Sequence, residues 1–421
     1  MTERIAGAVT MNVPFGLPLL FAACEDLLPP DGGTDAKEPP EKRLLARADV
    51  LAGRVSASAA AGAGAVCAPT VGAGRICLER YGARKELEDI NAGLVRAVRA
   101  AVCGSPAGRQ LPVGGILGPS GLFVPPFGED DFDDIYSIYK EQIAALKDGG
   151  ADFLLLSRQT SLADMRAALL AARHTDLPVF VCIAVDETGK TLTGASLLPV
   201  LITLQSMGVA ADAVGLCASP SSEAARTAFE SVLPHACVPL ILLADARPGE
   251  TPEELAAPVL PLLKAGVCMV GTGYAAGPEH LGALRDAIKK SGLPAAGLPP
   301  EYPEKPDCYA AATEQEAFFL GDDIVFSEPV RCSSLLEDHL IHLEDERVSA
   351  ALVEVTSVAD AEILASGGSI AKLPVAVHAD NATVLEAALR YFQGRLIVDS
   401  KCLIERESLE PLAAKYGAII Y

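Results

Sequence analysis

The chain has 421 residues, enough for two or three domains with at least one large core. Half of them are hydrophobic, only 5% are aromatic and none is Trp, the Ala/Leu/Val/Gly-rich make-up of proteins that pack helices on sheets. A formal net charge of −21 leaves no basic stripe for phosphates and excludes nucleic acid as a partner.

The eleven cysteines show no CxxC and no HxxxH spacing, so they read as buried, reduced thiols of a cytoplasmic protein. No stretch reaches about 18 uninterrupted apolar residues, so no membrane span is expected. "PLLFAAC", ending at Cys24, has the outline of a lipoprotein cleavage box. Against export, Glu3 offsets Arg4, and Pro14 and Pro18 interrupt the apolar run.

Along the chain, short apolar runs alternate with longer segments of helical period. The runs are 17–23, 65–68, 111–117, 152–156, 178–184, 211–216, 238–243 and 267–270. Amphipathic helices are predicted at 136–147, 161–173, 221–233, 251–264 and 278–290. Eight such units at even spacing predict an α/β fold, a closed (β/α)8 TIM barrel over residues 1–293, with its active face built by the loops that follow the strands. The five prolines in "SGLPAAGLPPEYPEKPDC" mark 294–308 as a linker. Residues 309–421 then predict a small α/β module, with strands near 317–320, 324–326, 350–355, 374–378, 396–398 and 418–421. Its helices are expected at 334–342, 358–364, 382–392 and 405–416.

Four segments carry a family likeness: "GGILGPSG" (114–121), "YKEQIAALKDGGADFLLL" (139–156), "DLPVFVCIAVDETGKTLTGAS" (176–196) and "GVCMVGTGYAAGPEHL" (266–281). Together they resemble the homocysteine S-methyltransferase domain found at the start of cobalamin-dependent methionine synthase, over roughly residues 15–290. "LPVAVHADNATVLEAALRYFQGRLIVDS" in the tail is similar to part of the pterin-binding domain that follows there. In that tail His378-Ala379 and Asp399 replace the polar residues expected for folate.

The resemblance implies methyl transfer in methionine metabolism. A free thiol has a pKa near 8.5, and the family lowers it with zinc held by three cysteines, one after strand six and an adjacent pair after strand eight. Here the adjacent pair falls on Gly273 and Tyr274, and near strand six only Cys217 is offered. No cofactor is expected, and zinc would arise only from a site rebuilt around Cys217, with Cys24 and Cys67 as further ligands. The family's Glu after strand four is Ser157, followed by Arg158, and its Asn after strand seven is Asp245. Thr70 and Gly72 are kept after strand two, and 22–26 stand for its first Gly-rich turn.

Candidate ligand-binding residues are therefore Thr70, Ser157, Arg158, Asp245, Gly271, Gly273 and Tyr274. Arg158 is expected to pair with Asp245 or with a ligand's carboxylate. Tyr274 is expected to project into or over the pocket and fill the space left by zinc and sulfur, with Arg158 or Asp245 as its nearest partner. The 271–277 turn is either a vestige or an anion site. His280 reads as a surface or capping residue, and Asp130, Asp131, Asp133 and Asp134 as a solvated helix start. Two functions stay open. One is a homocysteine S-methyltransferase-like protein with a degenerate zinc site. The other is a non-catalytic paralogue that binds a small anionic ligand, or a corrinoid protein or methionine-synthase-like partner.

Overall fold

A computed structural model describes residues 19–28, 37–104, 110–293, 309–346, 348–369 and 371–421. The eight apolar runs form β1 (Leu19–Ala22), β2 (Ala65–Ala68), β3 (Val113–Leu117), β4 (Phe153–Gln159), β5 (Val179–Ala184), β6 (Ala213–Ala218), β7 (Leu240–Ala244) and β8 (Val267–Thr272). Each pairs in parallel with the next, and β8 pairs back onto β1 from Leu19↔Met269 to Ala22↔Thr272, which closes the barrel.

These strands are apolar almost throughout because both of their faces are covered. Phe153 and Leu155 of β4 join Phe21, Cys67, Phe180, Cys182, Ile241, Leu243 and Met269 in the barrel interior. Leu154 and Leu156 join the outer core instead, the period-two alternation of a strand. The outer layer comprises α1 (Pro40–Leu45), α2 (Ala48–Ala61), α3 (Arg75–Glu79), α4 (Leu87–Cys103), α5 (Phe132–Asp148), α6 (Leu162–Ala172), α7 (Leu197–Ser206), α8 (Glu223–Val232), α9 (Pro252–Ala265) and α10 (Pro278–Ser291). Local chemistry sets their starts: Ser161 Oγ accepts from Asp164 N to open α6, and Thr251 with Glu254 forms a reciprocal cap on α9.

The linker expected at 294–308 lies outside the described residues. Beyond it, β9 (Ala310–Ala312) and β10 (Ala317–Phe319) make an antiparallel hairpin. A separate parallel sheet runs in the order β11 (Val330–Arg331), β12 (Ala351–Glu354), β13 (Val375–His378), β14 (Ile397–Val398), β15 (Ile419–Ile420). Its helices are α11 (Leu336–Glu344), α12 (Val358–Gly368), α13 (Ala382–Tyr391) and α14 (Arg406–Tyr416). The strand expected at 324–326 does not form. Phe326 makes only an isolated bridge to Ala350, and Ile324 and Phe326 instead cover the apolar face of Leu352, Ala376 and Ile397.

Buried polar groups join this module to the barrel. Arg166 of α6, wholly buried, donates to Leu389 O at 2.6 Å, Arg390 O at 3.1 Å and Gln393 Oε1 at 3.2 Å, and also to Phe392 O. It thereby satisfies carbonyls that α13 leaves unpaired at its end. Burial lowers the Arg166 pKa to about 10, so the side chain stays charged at neutral pH. Arg390 also pairs with Asp133, so one of the aspartates expected to be solvated is a docking contact.

Candidate functional site

Four strand ends and the turn after β1 meet at the barrel's carboxyl-terminal mouth. β4 brings Ser157 and Arg158, β6 brings Cys217, the loop after β7 brings Asp245, and β8 leads into Gly273 and Tyr274. Glu25 arrives from a single 3-10 turn (Glu25–Leu27) directly after β1.

Arg158 is the centre of this group. Its φ of 56° lies in the left-handed region, which a non-glycine residue enters at a cost, and the β4–β5 register breaks between Leu156 and Gln159. The turn aims the Arg158 N–H at Cys217 Sγ, 3.3 Å away, and the Ser157 hydroxyl lies 3.7 Å from the same sulfur. The guanidinium grips Asp245 with two prongs, Nη1 to Oδ2 at 3.1 Å and Nη2 to Oδ1 at 2.6 Å. Its Nε donates to Glu25 Oε2 at 3.3 Å. Three of the five guanidinium donors are thus committed inside the protein. Burial works against the Arg158 charge, but Cys217, Asp245 and Glu25 outweigh it and raise its pKa.

Glu25 is 6% exposed, and its Oε1 has no hydrogen-bond partner among the described residues. Burial raises its carboxyl pKa, against the pull of Arg158 and Ser157. Deeper in the barrel, burial also pushes the Cys67 and Cys182 thiols well above the usual range, with Glu25 adding to both.

Tyr274 lies over the mouth beside Arg158, one of the two placements expected from the sequence, and does not fill the space within it. It is 39% exposed, with its ring 5.7 Å from the Arg158 guanidinium carbon, so it roofs the ion pair rather than replacing the metal. Its backbone N–H donates to Asp245 Oδ1 at 2.6 Å. A Cβ on Gly273 would overlap that same Asp245 oxygen, and one on Gly271 would strike the rings and methyls of Phe21 and Leu243. Both glycines therefore serve close approach within the protein. Thr70, fully buried, joins β2 to β3 through Ile116: its Oγ1 donates to Ile116 O at 2.7 Å and accepts from Ile116 N at 2.9 Å. His280 caps α10 through Nδ1, as one of its two expected roles, but it is 7% exposed and not a surface residue.

The zinc site that the family likeness implies does not fit these residues. A tetrahedral site needs three protein ligands and an open position. At this mouth Asp245 occupies the space beside Gly273, the Cys217 sulfur accepts the Arg158 amide, and a guanidinium stands where it repels a second cation. Among the described residues no group of three or more His, Cys, Asp or Glu is placed to hold a metal ion, which removes the Cys24, Cys67 and Cys217 combination as well. Glu25 was not singled out in the sequence. Its only signal was a carboxylate in the turn that follows the first buried strand.

The sequence profile described as homocysteine S-methyltransferase matches residues 28–288. The methionine synthase of Mycobacterium tuberculosis is 27% identical over 396 residues, which is 86% of this chain and 33% of that protein. The methionine synthase of Mycobacterium leprae is 26% identical over 381 residues, 81% of this chain and 31% of that one. The chain spans about a third of the length of these relatives. The homocysteine methyltransferase MmuM from Escherichia coli matches in its metallated form with a TM-score of 0.54 and in its oxidised form with 0.55. Each match covers 64% of this chain and 94% of that one at 17% identity, a likeness of fold. Among the described residues no helix is long and apolar enough to cross a membrane.

Proposed function

The chain belongs to the homocysteine S-methyltransferase family, and on that premise we propose that it is a zinc-independent member that holds a small molecule at its barrel mouth instead of activating homocysteine on a metal. The observation that carries this reading is the Arg158–Asp245 pair, which uses the space beside Gly273 and neutralises the mouth from within. A ligand would meet the Tyr274 ring and the remaining guanidinium donors first. An anionic ligand would have to share Arg158 with Asp245, so its binding should be weak and sensitive to salt.

A second reading keeps methyl transfer and adds a partner such as a corrinoid protein. It is supported by the similarity to methionine synthases, which runs over 86% of the chain and so well past the barrel. Methyl transfer to homocysteine, followed with and without added zinc and chelator, separates the two. Zinc-stimulated turnover abolished by chelator would overturn the first reading. Absence of turnover, with calorimetric binding of a small amino acid lost in Arg158→Met, would support it.

A further inference from the structure

The β9–β10 hairpin turn reaches from the C-terminal module into the rim of the barrel mouth. Glu314 at its tip is 1% exposed. Its Oε1 accepts from Leu162 N at 2.9 Å, the first amide of α6, and from Thr193 Oγ1 at 2.6 Å, in the loop after β5. The next residue, Gln315, donates from Nε2 to Thr193 O at 3.3 Å, and Thr193 N donates in turn to Thr160 O at 3.4 Å. One carboxylate therefore ties together the loops after β4 and β5. It also sits at the positive end of a helix, where an anion is stabilised.

Arg158 lies only four residues before Leu162, in a strained left-handed conformation beside a break in the strand register. Such a conformation persists only where its surroundings over-determine it. On the side of β3 and α5 Gln159 does this, donating from Nε2 to Leu117 O at 3.2 Å and accepting from the Tyr139 hydroxyl at 3.1 Å. On the side of α6 and the loop after β5 the holding group is Glu314, which comes from another sheet system altogether.

We propose that Glu314 is a positioning residue for the barrel mouth, and that through it the C-terminal module locks the loop that presents Arg158. The module is then a working part of the mouth rather than an appendage.

The readout is Cys217, whose sulfur accepts the Arg158 amide and whose access changes if that loop shifts. Iodoacetamide labelling of the full chain, followed peptide by peptide by mass spectrometry, gives the Cys217 rate relative to the exposed Cys103. Glu314→Ala should raise that ratio about five- to tenfold and Glu314→Gln by less, since opening of a local segment scales with the contacts holding it. Arg390→Ala, which removes a different module–barrel pair, the one with Asp133 of α5, and leaves Glu314 and its partners in place, should leave the ratio unchanged. An unchanged ratio in Glu314→Ala, or an equal rise in Arg390→Ala, overturns the proposal. If Glu314→Ala unfolds, the interior Cys67 and Cys268 label with it. Glu314→Gln then decides the matter alone, and a wild-type ratio there counts against the proposal.

Discussion

Arg158 and Asp245 face each other across the barrel mouth as a two-pronged ion pair, one from the end of β4 and the other from the loop after β7. The geometry is the fork-to-fork match of a guanidinium with a carboxylate, which a lysine cannot reproduce. Because the two groups are only partly exposed, the pair should have measurable energy. A double-mutant cycle with Arg158→Met and Asp245→Asn should give a coupling of about 1–2 kcal/mol by denaturant unfolding. A coupling indistinguishable from zero would mean that the two side chains merely lie side by side.

Gly273 should be intolerant of even one added carbon. A Cβ there overlaps Asp245 Oδ1 and approaches the Ala244 backbone, so Gly273→Ala must displace the carboxylate from Arg158. The expected loss is about 1–3 kcal/mol of stability, the usual range for overpacking a tight site. In Asp245→Ala the same substitution should cost much less, and equal penalties in both backgrounds would refute the steric argument.

Restoring the family's cysteine pair should not restore metal binding by itself. Gly273→Cys with Tyr274→Cys places two thiols beside an intact guanidinium, which still repels a dication. Competition with a chromophoric chelator should show no tight zinc in that double variant. Zinc should be retained only when Arg158 and Asp245 are replaced as well. Tight stoichiometric zinc in the wild type would contradict the fit argument directly.

Asp164 gives a pH signature. Burial raises its carboxyl pKa to about 6, against an ordinary 3.8, although Ser120, Tyr139 and Ser161 favour the charged form. The folded state therefore holds this proton more tightly than the unfolded chain does. The contribution to stability is complete below pH 3.8 and is lost as pH rises through about 6. A gap of about two units corresponds to roughly 3 kcal/mol. Asp164→Asn cannot titrate, so its stability relative to wild type should move in its favour between pH 4 and 7, by up to about that amount. A relative stability that stays level over that range, or tilts the other way, would show that the carboxyl titrates normally.

Arg166 should be among the most sensitive positions in the chain. It is wholly buried and donates to several carbonyls at the end of α13. Arg166→Ala leaves those acceptors unpaired, with an expected loss of about 1–3 kcal/mol for each one that stays buried without a partner. Arg166→Lys should recover little, because one ammonium cannot span the same acceptors. The melting temperature of the full chain reports both outcomes.

The barrel was legible because each of its strands is a short apolar run and several of its outer helices have a period of their own, although α6, expected to be amphipathic, is buried along its whole length. Val179, Val181 and Ile183 alternate with Phe180 and Cys182 whatever the surrounding context. Arg158 stood out as a guanidinium at a strand end, and Asp245 could be named as a possible partner because both occupy corresponding places after their strands. Glu25 escaped notice because nothing local distinguishes a buried carboxylate in a turn from a solvated one. Only the three-dimensional meeting with Arg158 does so. For Tyr274 the sequence showed which side chain replaced a thiolate and that Arg158 lay within its reach, but not that Asp245 would take the space beside Gly273. The strand expected at 324–326 was an apolar run that covers a sheet instead of joining it, and β11, at two residues, is too short to leave a pattern. Glu314 gave no signal at all, because its partners Leu162 and Thr193 lie more than a hundred positions away in the chain.

The contacts of Arg166 also impose an order on the protein's assembly. The guanidinium is synthesised 223 residues before Leu389, its nearest acceptor in sequence. At about 5–20 residues per second, roughly 10–45 s separate the appearance of the donor from that of its acceptors. Throughout that interval the guanidinium on α6 lacks the carbonyl partners that it holds in the folded chain. The hydrogen bonds that complete this flank of the outer layer can therefore form only after α13 has been made, so a contact inside the early half of the chain waits for its late half.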